Sequence, residues 1–175
     1  MIMNNLTVPK QNIEVIQSLG FRSPSGRELS AREVAAEIIS FMEEDENRSY
    51  KVTIGTDSLL HRDKNADFIT AIVVHRVGNG GRYFWKREKV GNFHTLRDRI
   101  YQEVLFSLDV SKEVLEYLKT DDAPRFSFEI HVDVGDNGDT KTLIQEMTGM
   151  IRAMNYEVAT KPFSYAASSI ADKHV

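Results

Sequence analysis

An aspartate followed by a serine, Asp57-Ser58, closes the β-branched run KVTIGTDS at 51–58. Valine, isoleucine and threonine favour a pleated, half-buried strand. The two-residue side-chain period puts Val52, Ile54 and Thr56 on one face and Thr53, Gly55 and Asp57 on the other. A carboxylate at the carboxyl end of a strand stands where loops gather and where sheet proteins keep their chemistry. Two roles are open to it: the commoner one of a turn residue bonding its own backbone, and that of a ligand. A second acid bears on the choice. Asp133 lies near the end of the run at 126–134, on the face of Glu129 and His131, while Phe128, Ile130, Val132 and Val134 form an apolar face. A long helical stretch precedes this run, so it can return parallel to the first strand by a crossover. If the two strands are neighbours, their carboxylates meet at one end of the sheet. Glu103 belongs to that intervening helix, between Ile100 and Val104, and flanks its apolar stripe.

The elements that must position these acids follow in order. Residues 1–26 are weakly patterned, broken by Pro9, Gly20, Pro24 and Gly26, and read as a loosely attached arm. Ser30 with Glu33 forms a capping box, and Val34, Ile38 and Phe41 recur at helical spacing up to the acidic run 43–46, read as a solvated helix end. After the first strand, strands at 68–77 and 82–90 flank Gly78-Asn79-Gly80-Gly81, a hairpin signal. The second of these mixes Tyr83, Phe84 and Trp85 with Arg82, Lys86, Arg87 and Lys89 on what reads as a sheet edge. Charge there commonly prevents edge-to-edge pairing, and aromatics with cations also suit nucleic acid. Thr95 and Asp98 open the long helix, whose stripe is Ile100, Val104, Leu108, Leu115 and Leu118. A further helix carries Leu143, Ile144, Met147, Ile151 and Met154. A last strand at 156–161 stops at Pro162, and Ser164 is read as the cap of a final helix bearing Asp172 and His174.

Composition narrows the chemistry. The chain has 175 residues, 41% hydrophobic and 27% charged, which suits one domain with a proper core. With no cysteine, disulfides and thiolate zinc sites are excluded, and the histidines show no paired ligand spacing. His131 is read as a hydrogen-bonded structural residue. A net charge of −4 argues against bulk electrostatic coating of nucleic acid, and no long uncharged stretch could span a bilayer, so the chain reads as cytoplasmic with no membrane partner. The loop 135–139 lacks the order of a calcium loop, and Gly138-Asp139-Thr140-Lys141 is not a P-loop. Thr140 and Lys141 remain candidates for a phosphate at a helix N-terminus.

The order strand, hairpin, helix, strand, helix, strand, helix, with acids at Asp57, Glu103, Asp133 and Asp172, resembles the ribonuclease H superfamily over about residues 51–175. Within it, Ile54-Gly55-Thr56-Asp57-Ser58, His131-Val132-Asp133-Val134-Gly135 and Ala171-Asp172-Lys173-His174 resemble the bacterial YkuK-type, ribonuclease-H-like family. The resemblance implies an α/β fold: a five-stranded mixed sheet flanked by helices at 49–175, preceded by an N-terminal arm and helix at 1–48. It implies phosphodiester hydrolysis of RNA or DNA with Mg2+ or Mn2+, by a two-metal mechanism. By the same resemblance Asp57, Glu103, Asp133 and Asp172 are the metal ligands, His174 assists proton transfer or product release, and Ser58, Thr140 and Lys141 are candidate phosphate contacts. The fold alone also admits a non-catalytic nucleic-acid or protein-binding module, or a metal phosphohydrolase of small nucleotides. The helix after Ser30 is the element that could cover the active face.

Overall fold

The computed structural model describes residues 14–18, 20–135 and 140–174. Its elements in chain order are β1 (Val15–Ser18), β2 (Phe21–Arg22), β3 (Glu28–Leu29), α1 (Ala31–Glu43), β4 (Tyr50–Leu60), β5 (Ala66–Arg76), β6 (Gly81–Val90), α2 (Leu96–Leu118), β7 (Phe126–Val132), α3 (Thr140–Ala153), β8 (Glu157–Thr160) and α4 (Ala166–His174). The strands form one mixed sheet in the order β3-β2-β6-β5-β4-β7-β8, with β1 also paired to β6. The strands read from the sequence occupy its centre, β4 pairing antiparallel with β5 and parallel with β7.

Two expectations are corrected by this sheet. It has eight strands among the described residues, where five were expected, because the N-terminal arm is built into it. β1 and β2 pair with β6, so β6 is covered where an open edge was expected. Strands of four, two and two residues are too short to show a two-residue period, and a turn with Gly26 at φ 81° separates β2 from β3. The capping box opens α1 as expected: Glu33 N–H donates to Ser30 Oγ, and Ser30 N–H donates to the Glu33 carboxylate at 2.8 Å. The acids after α1 are not simply solvated, since Glu44 pairs with both Arg76 and Arg82, and Arg76 also donates to the Phe41 carbonyl. A cation at that helix end offsets the dipole that the acids oppose.

The apolar core lies on one face of the sheet. α1 and the second half of α2 pack over Tyr50, Val52, Ile54, Ile72, Val74 and Phe84, while Ile100, Val104 and α3 pack over Ile130, Val132 and Val134. α1 thus sits over the early half of β4 and does not cover the end that carries Asp57. No described helix is long and apolar enough to cross a membrane.

The opposite face is crossed, among the described residues, by one helix, α4. In register across the sheet stand His131 of β7, Gly55 of β4, Ala71 of β5 and Trp85 of β6. Tyr165 and Ala166 N–H at the start of α4 donate to His131 Nδ1, and at its end the His174 ring stacks on Trp85, centroids 4.2 Å apart. Nine helical residues span about 13.5 Å. Three interstrand steps span about 14 Å, so the helix length matches the four-strand row, and small residues lie in the two central positions.

Candidate functional site

β4 stays paired with β5 to its last residue, Leu60, but its parallel pairing with β7 stops at Gly55↔His131. β7 itself ends at Val132, two residues short of the expected end, where Val134 N–H donates to the Val132 carbonyl in a tight turn centred on Asp133. Asp57 and Asp133 each lie two residues beyond that last pair, Gly55↔His131, where the two strands part. Asp57 is therefore not at a strand end, as expected, but two residues past the end of one of the two pairings of β4. Its Oδ1 accepts from Ser58 N–H at 2.8 Å, a bond to the next residue made within the strand and not the bond of a turn, which reaches two residues on. The turn role weighed for Asp57 is therefore not the one it has: the residue lies inside β4, its carboxylate braced by the next backbone amide.

Glu103 reaches this end from the other face. A buried hydroxyl cluster fixes α2 on β4: Thr56 Oγ1 lies 2.9 Å from Thr70 Oγ1 and 2.8 Å from Ser107 Oγ. One helical turn earlier, Glu103 Oε1 accepts a 2.5 Å bond from Ser58 Oγ. Two residues of strand advance about 6.7 Å and four of helix about 6 Å, so Thr56 with Ser107 and Ser58 with Glu103 form two rungs of one ladder. Burial pushes the Glu103 pKa up to about 8; the Ser58 hydroxyl opposes this, the Asp57 charge adds to it, Arg99 opposes it and the Asp133 charge adds again. Asp57, Glu103 and Asp133 are therefore electrostatic neighbours. Asp98, the other acid near the start of α2, stands in the first turn, beside the cap in which its N–H donates to Thr95 Oγ1.

Two cations that sequence reasoning did not assign attend these acids. Arg99 Nη1 donates to the Ser58 carbonyl at 2.9 Å and to its hydroxyl at 3.1 Å. The Ser58 hydroxyl, a candidate phosphate contact, is thus already donating and accepting. Lys161 Nζ stands 3.1 Å from Asp133 Oδ1. Arg99 had one signal, its place in the first turns of the acid-bearing helix; Lys161 had none beyond its place before Pro162.

Asp172 lies within α4 and Thr140 begins α3, but both side chains are outside the described residues, as is the loop 136–139. Lys141 is exposed in the first turn of α3. His174 packs on Trp85, two strands from β4, and its carbonyl accepts from Arg87; burial, then the nearby Arg87 and Lys173 charges, hold its pKa below the ordinary value. His131 is the structural residue expected, 2% exposed, with Nε2 2.6 Å from Glu129 Oε1 and Nδ1 receiving the α4 amides. It takes the capping role assigned to Ser164, whose Oγ is buried without a hydrogen-bond partner, because the strand places the imidazole directly beneath the helix start. A cleft of about 640 Å³, lined by Arg125, Phe128 and Tyr156 among others, is bounded by the starts of β7 and β8 and holds none of the candidate acids.

A hard divalent cation fits the donor set. The oxygens are carboxylate, Asp133 Oδ1 is buried with the Lys161 ammonium as its one described partner, a place another cation can take, and Glu103 is held against its neighbours' charge. Among the described residues no three acid or histidine side chains are grouped so that they could hold a metal ion by themselves. Mg2+ needs no such group, since it keeps several waters and is commonly bound by one or two carboxylates plus substrate phosphate.

Among known proteins, the family model described as Ribonuclease H-like matches residues 33–175, so the match takes in most of α1 as well as the core. The chain is also 35% identical over 164 residues to the "Uncharacterized protein YkuK" of Bacillus subtilis (strain 168), covering 87% of this chain and 95% of that relative. On the parallel β4–β7 pair, the two acids where it parts and the extent of these matches, the chain belongs to the Ribonuclease H-like family.

Proposed function

We propose that this protein is a divalent-metal-dependent nuclease that hydrolyses phosphodiester bonds of RNA or DNA. The observation that carries the reading is the buried Glu103 carboxyl, held by the Ser58 hydroxyl at the end of the β4–β7 pairing beyond which Asp57 and Asp133 follow, where burial first and then those two charges disfavour its ionisation. Acids placed so near one another are costly to keep ionised unless a cation stands with them. Asp57 and Asp133 would hold the ion, with Glu103 and Asp172 completing the set. The chemistry that Mg2+ or Mn2+ supplies when bound is activation of a water and neutralisation of charge on the leaving oxygen. The chain's own part is orientation: Ser58 fixes the Glu103 carboxyl and Arg99 fixes Ser58.

Labelled RNA, DNA, hybrid and branched substrates with Mn2+ or Mg2+ test the reading, with Asp57→Asn and Asp133→Asn beside the wild type. Cutting by the wild type should fall at least a hundredfold in either variant, and calorimetric Mn2+ affinity should fall with it. Unchanged Mn2+ binding in both variants would sink the assignment. A second reading, a binding module that kept the fold, draws on the Lys161–Asp133 ion pair, which already neutralises one acid. Metal-loaded, folded protein that cuts no substrate would favour that module.

A further inference from the structure

The connection from β8 to α4 joins an exposed aromatic to the acid cluster. Phe163 is 74% exposed, the most exposed large hydrophobic side chain among the described residues, and Tyr165 is 42% exposed. Singly exposed apolar residues are ordinary, but this one stands on a fixed backbone. Phe163 and Ser164 N–H both donate to the Thr160 carbonyl, at 2.8 and 3.2 Å, Lys161 N–H donates to the Val134 carbonyl at 3.2 Å, and Tyr165 N–H donates to His131 Nδ1 at 3.1 Å. The Tyr165 ring packs edge-on against His131. Lys161, in the same loop, places its ammonium against Asp133 while its side chain remains 54% exposed. The loop thus offers a preorganised flat apolar ring and, two residues away, a solvent-accessible cation at the acids. Two residues of chain reach at most about 7 Å, within the span of one nucleotide.

We propose that the loop 161–165 docks an unpaired nucleotide: Phe163 stacks on its base, and Lys161 moves from Asp133 to the adjoining phosphate as that phosphate enters the site. The proposal rests on the nuclease reading for its substrate class and deepens it. A base inside a duplex has both faces covered by its neighbours, so an outward aromatic finds its partner in a single strand or a frayed end. A protein partner would use the ring but would leave unexplained a cation set over the acids beside it. The loop therefore favours single-stranded over fully paired nucleic acid.

Fluorescence anisotropy of labelled single-stranded RNA and DNA and of a blunt hairpin, measured in calcium, tests this on the full chain. Phe163→Ala should weaken single-strand binding roughly tenfold or more, the worth of one stack, and leave hairpin binding unchanged. Phe163→Trp should restore it, and an oligonucleotide carrying 2-aminopurine should be quenched by wild type and Phe163→Trp but not by Phe163→Ala. Lys161→Met should lower the slope of log affinity against log salt by about one. Unchanged affinity in Phe163→Ala, or no oligonucleotide binding by the wild type, overturns the proposal. So does a changed sedimentation coefficient of free Phe163→Ala with no change in oligonucleotide affinity, which would make the ring a chain–chain contact. Cutting by a protein indifferent to Phe163→Ala refutes the docking and keeps the nuclease. Phe163-dependent binding by a protein that cuts nothing with Mn2+ does the reverse.

Discussion

At Glu103, burial disfavours the ionised carboxyl, and the charges of Asp57 and Asp133 disfavour it further. Its pKa of about 8 in the folded chain compares with an ordinary 4.5. Between those values the folded protein holds a proton that the unfolded chain has released, so stability falls as pH rises from about 4.5 to about 8 and levels off above. The loss is on the order of a few kcal/mol. A glutamine at this position would still accept from the Ser58 hydroxyl and carries no charge, so Glu103→Gln should melt several degrees above wild type at about pH 8.5 in EDTA and match it near pH 5. Added Mg2+ should raise the wild-type melting temperature at the higher pH far more than the variant's. Parallel melting curves for the two proteins across this range would remove Glu103 from the cluster. Which acid of α2 does this was not readable from the sequence, because helical register floats. It is set by the Thr56–Ser107 hydroxyl contact, a pairing 51 residues apart that no local pattern announces.

At the scale of elements, the joint between β7 and α4 turns on one imidazole. His131 was legible as a structural residue from its place on a strand face, but its job was not: the helix it caps begins 35 residues later. Burial holds its pKa below 6.5, against the pull of Glu129, and only the neutral ring can accept from two amides at Nδ1 while donating from Nε2. Between the folded and the ordinary value the unfolded chain binds the extra proton, so this contribution is complete above about 6.5 and is lost as pH falls below it. His131→Ala should cost roughly 1–2 kcal/mol as a lost cap, and hydrogen exchange should speed first in the opening turn of α4. Wild-type α4 should show the same loss of protection below about pH 6, after correction for intrinsic rates. Protection of α4 that ignores both the variant and the pH would mean that the helix is held from its other end, at Trp85.

Over the whole molecule, the central strands and the helices that pack on them were legible because their periods run long enough to read. The three N-terminal strands were not, yet they seal the sheet. β1 and β2 pair with β6, Phe21 is buried at 2% exposure beneath the Lys86 ammonium, and the Arg22 guanidinium lies 5.8 Å from the Trp85 ring centroid. Trp85 is also where α4 ends, so the arm is coupled through β6 to the helix that carries Asp172. Phe21→Ala in the full chain should lower stability by about 3–5 kcal/mol, read as a shift in the urea midpoint, because it empties a packed site. Deleting residues 1–29 should do more than destabilise. It bares a row of unpaired N–H and C=O groups along a ten-residue strand, which another chain can pair with. The truncated protein should therefore sediment as dimers or larger species in proportion to its concentration, while full-length Phe21→Ala keeps the wild-type coefficient. A truncated chain that sediments as a monomer with an unchanged urea midpoint would show that β6 needs no cover, and that α4 is positioned by the five central strands alone.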